Sequence, residues 1–278
     1  MNRVAVVTGA NKGIGYFIGL QLAQTGLFSN VILGCRDENR GKEAVHNMIQ
    51  SLKTSNCSCE ISYQPLTIGD VDSHIAFVQR MQETFGKVDV LVNNAAIAFK
   101  NADPTPFKDQ CKPTLAINFH GTVDFTERIM PLVRKGTDAR IVNVASMAGR
   151  LEQIQSKELR NRFKDPSLTV DELKSLVHKF ETDVVDGTHF AKGWGRSNYS
   201  FSKLAIIAMT KVWAREEAGN NIKINCCCPG YCDTDMTSHQ GTRSPEEGAK
   251  NAVLPATMNQ CPTGEYFSDF GVAPWGEG

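Results

Sequence analysis

Long apolar runs are missing from this chain of 278 residues: no segment approaches the roughly eighteen uninterrupted apolar residues of a membrane span. The first apolar run, Val4 to Val7, is too short for the apolar core of a signal peptide. An excess of one charge is missing too. Thirty Lys and Arg balance thirty Asp and Glu, so no bulk field gathers nucleic acid or anionic lipid, and any anion site has to be local. Paired metal-binding motifs are lacking: Cys57 and Cys59 form a CxC, but no second Cys/His pair stands at zinc spacing, so no metal is expected. Nine cysteines, an odd number with a consecutive run at Cys226-Cys227-Cys228, do not make a disulfide framework. There is no internal repeat and no low-complexity tract. Together these absences lead us to expect a soluble, unexported cytoplasmic protein with reduced thiols and neither a nucleic-acid nor a membrane partner.

What is present is an alternation. Apolar runs rich in β-branched residues, read as strands, fall at Val4–Val7, Val31–Gly34, Glu60–Leu66, Val88–Val92, Arg140–Val144, Lys223–Cys227 and Glu265–Ser268. Most are continuously apolar, as strands covered on both faces should be. Helix-length segments lie between them, at Gly13–Gln24, Asn39–Lys53, Asp72–Phe85 and Gln110–Arg134. This order predicts an α/β protein, a Rossmann-type doubly wound parallel sheet, in one domain spanning 1–278. One region breaks the rhythm. From about 150 to 196 the chain is strongly charged and reads as short amphipathic helices without a strand, a helical insertion placed just before the helix that carries Tyr199. Within it, Thr169 followed by Glu172 fits a capping box.

The turn after the first strand, Thr8-Gly9-Ala10-Asn11-Lys12-Gly13-Ile14-Gly15, opens the first helix. Small residues there let a pyrophosphate touch the backbone, and the helix N-terminus supplies free N–H groups and partial positive charge. The end of the second strand, where an NAD enzyme places an acid on the ribose hydroxyls, reads Cys35-Arg36. A carboxylate there repels a 2′-phosphate, whereas Arg36 can grip one; Lys12 and Arg40 add charge to the same pocket. Asp37 is a rival ribose ligand that better suits a cap on the second helix. The residues therefore favour NADPH/NADP.

Tyr199 and Lys203 stand one helical turn apart and face the same way. A phenol with pKa near 10 needs nearby positive charge to act at neutral pH, which Lys203 supplies. Ser146, at the end of the fifth strand, delivers a hydroxyl to the sheet edge where such folds bind ligands.

The spacing TGxxxGIG resembles the short-chain dehydrogenase/reductase family, and the strand-end Ser146, the Asn93-Asn94-Ala95 turn, Asn118 and Cys228-Pro229-Gly230 follow in that family's order. Within the family, ANKGIG, CRDENRGKEA, LVNNAAIAFKNADPTPF, NVASMAG, YSFSK, CCPGYCDTDM and SPEEGA are close to the wording of the monomeric NADPH-dependent carbonyl reductases over nearly the whole chain. The resemblance implies that Asn118, Ser146, Tyr199 and Lys203 are a catalytic tetrad acting on a small-molecule aldehyde, ketone or quinone, with Tyr199 as proton donor and Asn118 holding a water. It also implies that Gly9, Asn11, Lys12, Gly13, Ile14 and Gly15 hold the cofactor turn and that Lys12 and Arg36 read the 2′-phosphate. Asn93, Pro229 and Gly230 then line the cofactor cleft, and Thr234 meets its nicotinamide end.

Four departures from those reductases stand out. Ala96 replaces a glycine, Thr67 offers a hydroxyl where an acid binds adenine, Tyr231 replaces a tryptophan, and Asp233 stands where an arginine is expected. Phe99, Lys100, Gln110, Met147, Trp194 and Tyr231 are candidates for the substrate cleft, with packing and surface roles as the alternative for each. Cys228 is either a reactive cleft thiol or, by default, a buried inert one. The insertion lies where it would cover the face through which many family members pair, so a monomer is expected. The competing activities are those of an NAD(P)-dependent alcohol or steroid dehydrogenase, and of a cofactor-binding sensor that catalyses nothing.

Overall fold

The computed structural model of the protein describes residues 2–53, 57–100 and 102–276, so Asn101 of the LVNNAAIAFKNADPTPF run lies outside it. Its strands are β1 (Val4–Thr8), β2 (Asn30–Cys35), β3 (Glu60–Pro65), β4 (Val90–Asn93), β5 (Arg140–Val144), β6 (Lys223–Cys227), β7 (Tyr266–Ser268) and β8 (Gly271–Ala273). They form one sheet in the order β3-β2-β1-β4-β5-β6-β7-β8. All pairings are parallel except β7 with β8. The strand order reverses between β1 and β4, and in open α/β sheets that switch point leaves a crevice outside the carboxyl ends of the strands.

Both faces of the sheet are covered, and β1 shows how. Ala5 and Val7 point into one apolar cluster, with Ile18, Leu33 and Ala249, while Val4 and Val6 point into the other, with Phe77, Phe125 and Ile141. Continuous apolar strands result because neither face meets water. The helices are α1 (Gly13–Gln24), α2 (Glu38–Leu52), α3 (Val71–Thr84), α4 (Phe107–Leu115), α5 (Thr122–Val133), α6 (Lys157–Lys164), α7 (Val170–Val185), α8 (Asn198–Glu216) and α9 (Pro245–Thr257). Asp37 caps α2, its carboxylate accepting the Arg40 amide at 3.0 Å. Thr169 and Glu172 close the reciprocal capping box on α7.

Two elements depart from the sequence reading. The single helix expected over Gln110–Arg134 is α4 and α5 joined by a π-helical turn, Ala116–Gly121. Crowding with the loop after β3 holds this turn: a Cβ on Gly121 would lie 2.6 Å from the Gly69 amide nitrogen, so only glycine lets the segments meet. The second departure is β8, which had no counterpart. It follows β7 through Asp269 and Phe270, both at positive φ (48° and 66°), a two-residue hairpin turn of the kind usually marked by Asn-Gly. Contacts from elsewhere hold this unusual pair: Arg243 bonds Asp269 at 2.8 Å, and Asn251 accepts the Phe270 amide.

The insertion consists of α6 and α7, fixed to α8 by a cluster of aromatic rings. Phe180 stacks on Phe201 with centroids 3.7 Å apart, Trp194 meets both rings edge-on, and Phe163 meets Phe201 and Trp194 edge-on. Trp194 is fully buried and donates to Asp183 at 2.8 Å. Its placement among the cleft residues is therefore corrected: the ring packs the core of the insertion.

Phe180→Ala should lower the free energy of unfolding in guanidinium by about 3–5 kcal/mol, the usual loss for a buried phenylalanine. A loss below about 1 kcal/mol would show that the stack does not fasten the insertion to α8.

Candidate active site

The turn between β1 and α1 is built to receive an anion. Gly13 has φ +56°, and a Cβ on Gly15 would lie 2.4 Å from Asn94 Nδ2 and 2.5 Å from the Gly9 carbonyl oxygen. The Asn94 amide side chain donates to the Thr8 and Gly9 carbonyls, and Thr8 Oγ1 accepts the Asn94 and Ala95 amides at 3.0 Å. These bonds tie the turn to the loop after β4 across the switch point. At the N-cap, Lys12 makes no side-chain capping bond, and no acid lies in the first turn of α1, so its amides are open to a phosphate. Ala96 is not at positive φ, so the backbone there does not require the glycine it replaces.

The cations lie around this turn in different states. Arg36, exposed after β2, has no hydrogen bond or ion pair among the described residues. Arg40 lies 3.6 Å from Asp37, and Lys12 Nζ is 2.5 Å from Asp235 Oδ2. Lys12 and Arg40 line one surface cavity of about 420 Å³, with Asn11, Tyr16, Glu43 and Asp235. Thr67 follows β3, its amide bonded to Ser73 Oγ at 2.8 Å. A tight open turn, an uncapped helix end and a free arginine fit a dinucleotide carrying an extra phosphate.

Across the crevice, Ser146 stands two residues beyond β5 and Tyr199 and Lys203 project from α8. The Tyr199 phenol is pushed up to about 12, first by burial around its hydroxyl; its hydrogen bond with Ser146 opposes that rise. Burial brings the Lys203 ammonium down to about 8, with Cys227 and Cys228 opposing. Its Nζ donates to the Val144 carbonyl at 2.8 Å and lies 5.6 Å from the Tyr199 ring centroid. The expectation that Lys203 itself lowers the phenol needs correction in this state: loss of water outweighs the lysine's attraction at that distance.

Asn118 sits in the π turn. Its Oδ1 accepts the Ile97 amide at 2.8 Å, and its Nδ2 donates to the Ile97 carbonyl at 2.9 Å and to Ser202 Oγ at 3.1 Å. π turns recur at functional sites because the extra residue widens the helix. Asn93 ends β4 at the switch point, its side chain buried and donating to Thr126 and Asn143.

Met147 and Tyr231 are each 49% exposed. Phe99 is half-buried, Lys100 exposed, and Gln110 donates to the Thr105 carbonyl at 2.7 Å. Pro229 and Gly230 follow β6, and the methyl of Thr234 lies 3.6 Å from the Cβ position of Gly13. Cys228 is buried, its Sγ accepting the Met147 and Gly230 amides at 3.1 and 3.3 Å, in keeping with an inert thiol. Sequence reasoning missed three supporting residues: Asn94, Gln153, which donates to the Ala148 and Ser200 carbonyls, and Asp235. Asp235 is 223 positions from Lys12, and no local pattern links such a pair.

A switch-point crevice, a glycine turn at a helix N-terminus and a Tyr–Lys pair whose lysine is buried, on one sheet edge, define a dinucleotide-type α/β protein. The profile of the short chain dehydrogenase family matches residues 3–157 and 186–244, the interruption falling on α6 and α7. Carbonyl reductase [NADPH] 1 of Homo sapiens is 39% identical over 98% of both chains, and that of Rattus norvegicus 38% identical over 98% of both. Among solved structures, salutaridine reductase from Papaver somniferum is similar with a TM-score of 0.85 at 29% identity, over 96% of this chain and 100% of that one. The chain belongs to the short-chain dehydrogenase family of oxidoreductases, which bind a nicotinamide cofactor.

The Lys203 ammonium carries a sign for stability. Between the folded value of about 8 and the ordinary 10.5, the unfolded chain binds a proton that the folded chain does not. Stability therefore rises with pH through that window, and the penalty is fully present below it. In the protein without cofactor, wild type should gain unfolding free energy relative to Lys203→Met between pH 8 and 10.5. A difference that stays flat across this range would show that the ammonium keeps its ordinary affinity for protons.

Proposed function

We propose that the protein reduces aldehydes, ketones or quinones to alcohols with NADPH. The observation that carries this reading is the Tyr199 hydroxyl bonded to Ser146 at the carboxyl edge of the sheet, with the Lys203 ammonium buried close by. The names of the mammalian relatives support the same substrate class and cofactor. When bound, the cofactor supplies a hydride to the carbonyl carbon. Every other task falls to the chain. Gly13 and Gly15 give a phosphate access to the α1 amides, and Arg36, without a partner among the described residues, takes the 2′-phosphate. Ser146 donates to the substrate oxygen and fixes its position. Tyr199, kept protonated by burial, gives its proton to that oxygen as charge develops. Lys203 stays largely protonated at neutral pH because its value is about 8, and its charge stabilises the phenolate left behind. The resemblance to the family gives Asn118 the holding of a water that returns a proton; its own side chain is fixed by bonds to Ile97 and Ser202.

Tyr199→Phe should bind NADPH within about threefold of wild type, by fluorescence titration, while kcat for a simple quinone falls at least about a hundredfold, the lower range for loss of a general acid. Retention of most of the wild-type kcat would remove Tyr199 as proton donor.

For assembly we propose a monomer. The insertion covers α8, whose residues from Phe201 to Thr210 are all buried within the single chain. Little of that helix is left to bury in a partner, and a stable homodimer needs on the order of 800 Å² per subunit. Sedimentation velocity should give one species of monomer mass across a hundredfold range of concentration; a concentration-independent dimer or tetramer would overturn this.

A further inference from the structure

The loop that follows β6 is tied to the phosphate turn by Asp235, which holds Lys12, and the methyl of the neighbouring Thr234 faces Gly13. Asp235 is itself held by His239: one ring nitrogen lies 3.1 Å from Asp235 Oδ1 and the other 2.8 Å from Asp233 Oδ1. A ring that faces a carboxylate at each nitrogen is best satisfied as an imidazolium, which donates from both. These two carboxylates raise its pKa accordingly. The order of charges is thus Lys12, Asp235, His239, Asp233, of which Lys12 and Asp235 line the cavity that Arg40 also lines.

We propose that Asp235 competes with the 2′-phosphate of the cofactor for Lys12 and so sets how strongly the protein prefers the phosphorylated cofactor. The inference rests on the reading of Lys12 and Arg36 as the phosphate grip. The two cations then have different parts. Among the described residues Arg36 has no partner to give up, so its charge is available to the phosphate. Lys12 has to leave or share Asp235 when the phosphate arrives, since two anions in contact with one ammonium repel each other. The exchange is feasible because the pair is solvent-exposed and such pairs are weak. His239 also leaves Asp235 with a counter-charge after Lys12 has moved. Because Asp235 lies on the loop after β6, the phosphate releases a contact that ties this loop to the turn.

Calorimetric titration of the full chain with 2′,5′-ADP and with 5′-AMP tests this without turnover. Asp235→Asn should bind 2′,5′-ADP about two- to fivefold more tightly, the scale of one exposed ion pair, and 5′-AMP unchanged. In a Lys12→Ala background the same substitution should change 2′,5′-ADP binding by less than about 1.5-fold, because the contested cation is gone. An unchanged or reduced preference in Asp235→Asn, or an equal gain in both backgrounds, would overturn the competition alone. A wild type that binds both nucleotides equally would overturn the phosphate reading together with it.

Discussion

The site depends on one buried cation. The Lys203 ammonium is 4% exposed, and the partner in place for it is the Val144 carbonyl, at 2.8 Å. Taking an ammonium out of water is costly, and here burial lowers its pKa to about 8 without removing its charge at neutral pH. That carbonyl belongs to the last residue of β5, one position beyond Asn143, where the pairing with β4 stops. The cation is thus held by a strand end, and its position follows from the sheet.

Beneath it, a chain of buried polar side chains fixes the strands that meet at the crevice. Asn93 on β4 donates to Asn143 on β5 and to Thr126 on α5, and Asn143 donates to Thr210 on α8. Such a network is stabilising only when its members are satisfied, and Asn93 Oδ1 is a buried acceptor without a partner. The network links strand ends, the helix that follows the π turn and the helix that carries Tyr199 and Lys203. The insertion works on α8 from the other side, through the stack of Phe180 on Phe201. The residues on either side of Tyr199 and Lys203 are therefore fixed both by polar bonds and by apolar packing, which suits groups that must be positioned before a substrate arrives.

Much of this was legible in the sequence because the signals are local. Continuous apolar runs gave β5 and β6 at their observed bounds, and α1 begins and ends where its glycine turn and periodicity place it. Tyr199 and Lys203 could be paired because helix geometry puts residues four apart on one face. Asp37 was readable as a cap, since a cap bonds within three residues.

Other features were not legible because they depend on distant neighbours. The π turn exists because Gly121 meets Gly69, the hairpin at Asp269-Phe270 is held by Arg243 and Asn251, and Trp194 found its place among rings from three segments. The sign of the shift on Tyr199 was missed because burial, a property of the whole fold, outweighs the one neighbour that sequence spacing reveals. The sequence by itself determined the order of elements, the glycine turn that opens α1 and the Tyr199–Lys203 spacing on one helix face, all of which rest on short-range spacing and residue chemistry. Only the tertiary structure decided which cations are free, which are paired and how far each group is removed from water, because charge and solvation depend on every atom nearby, however distant along the chain.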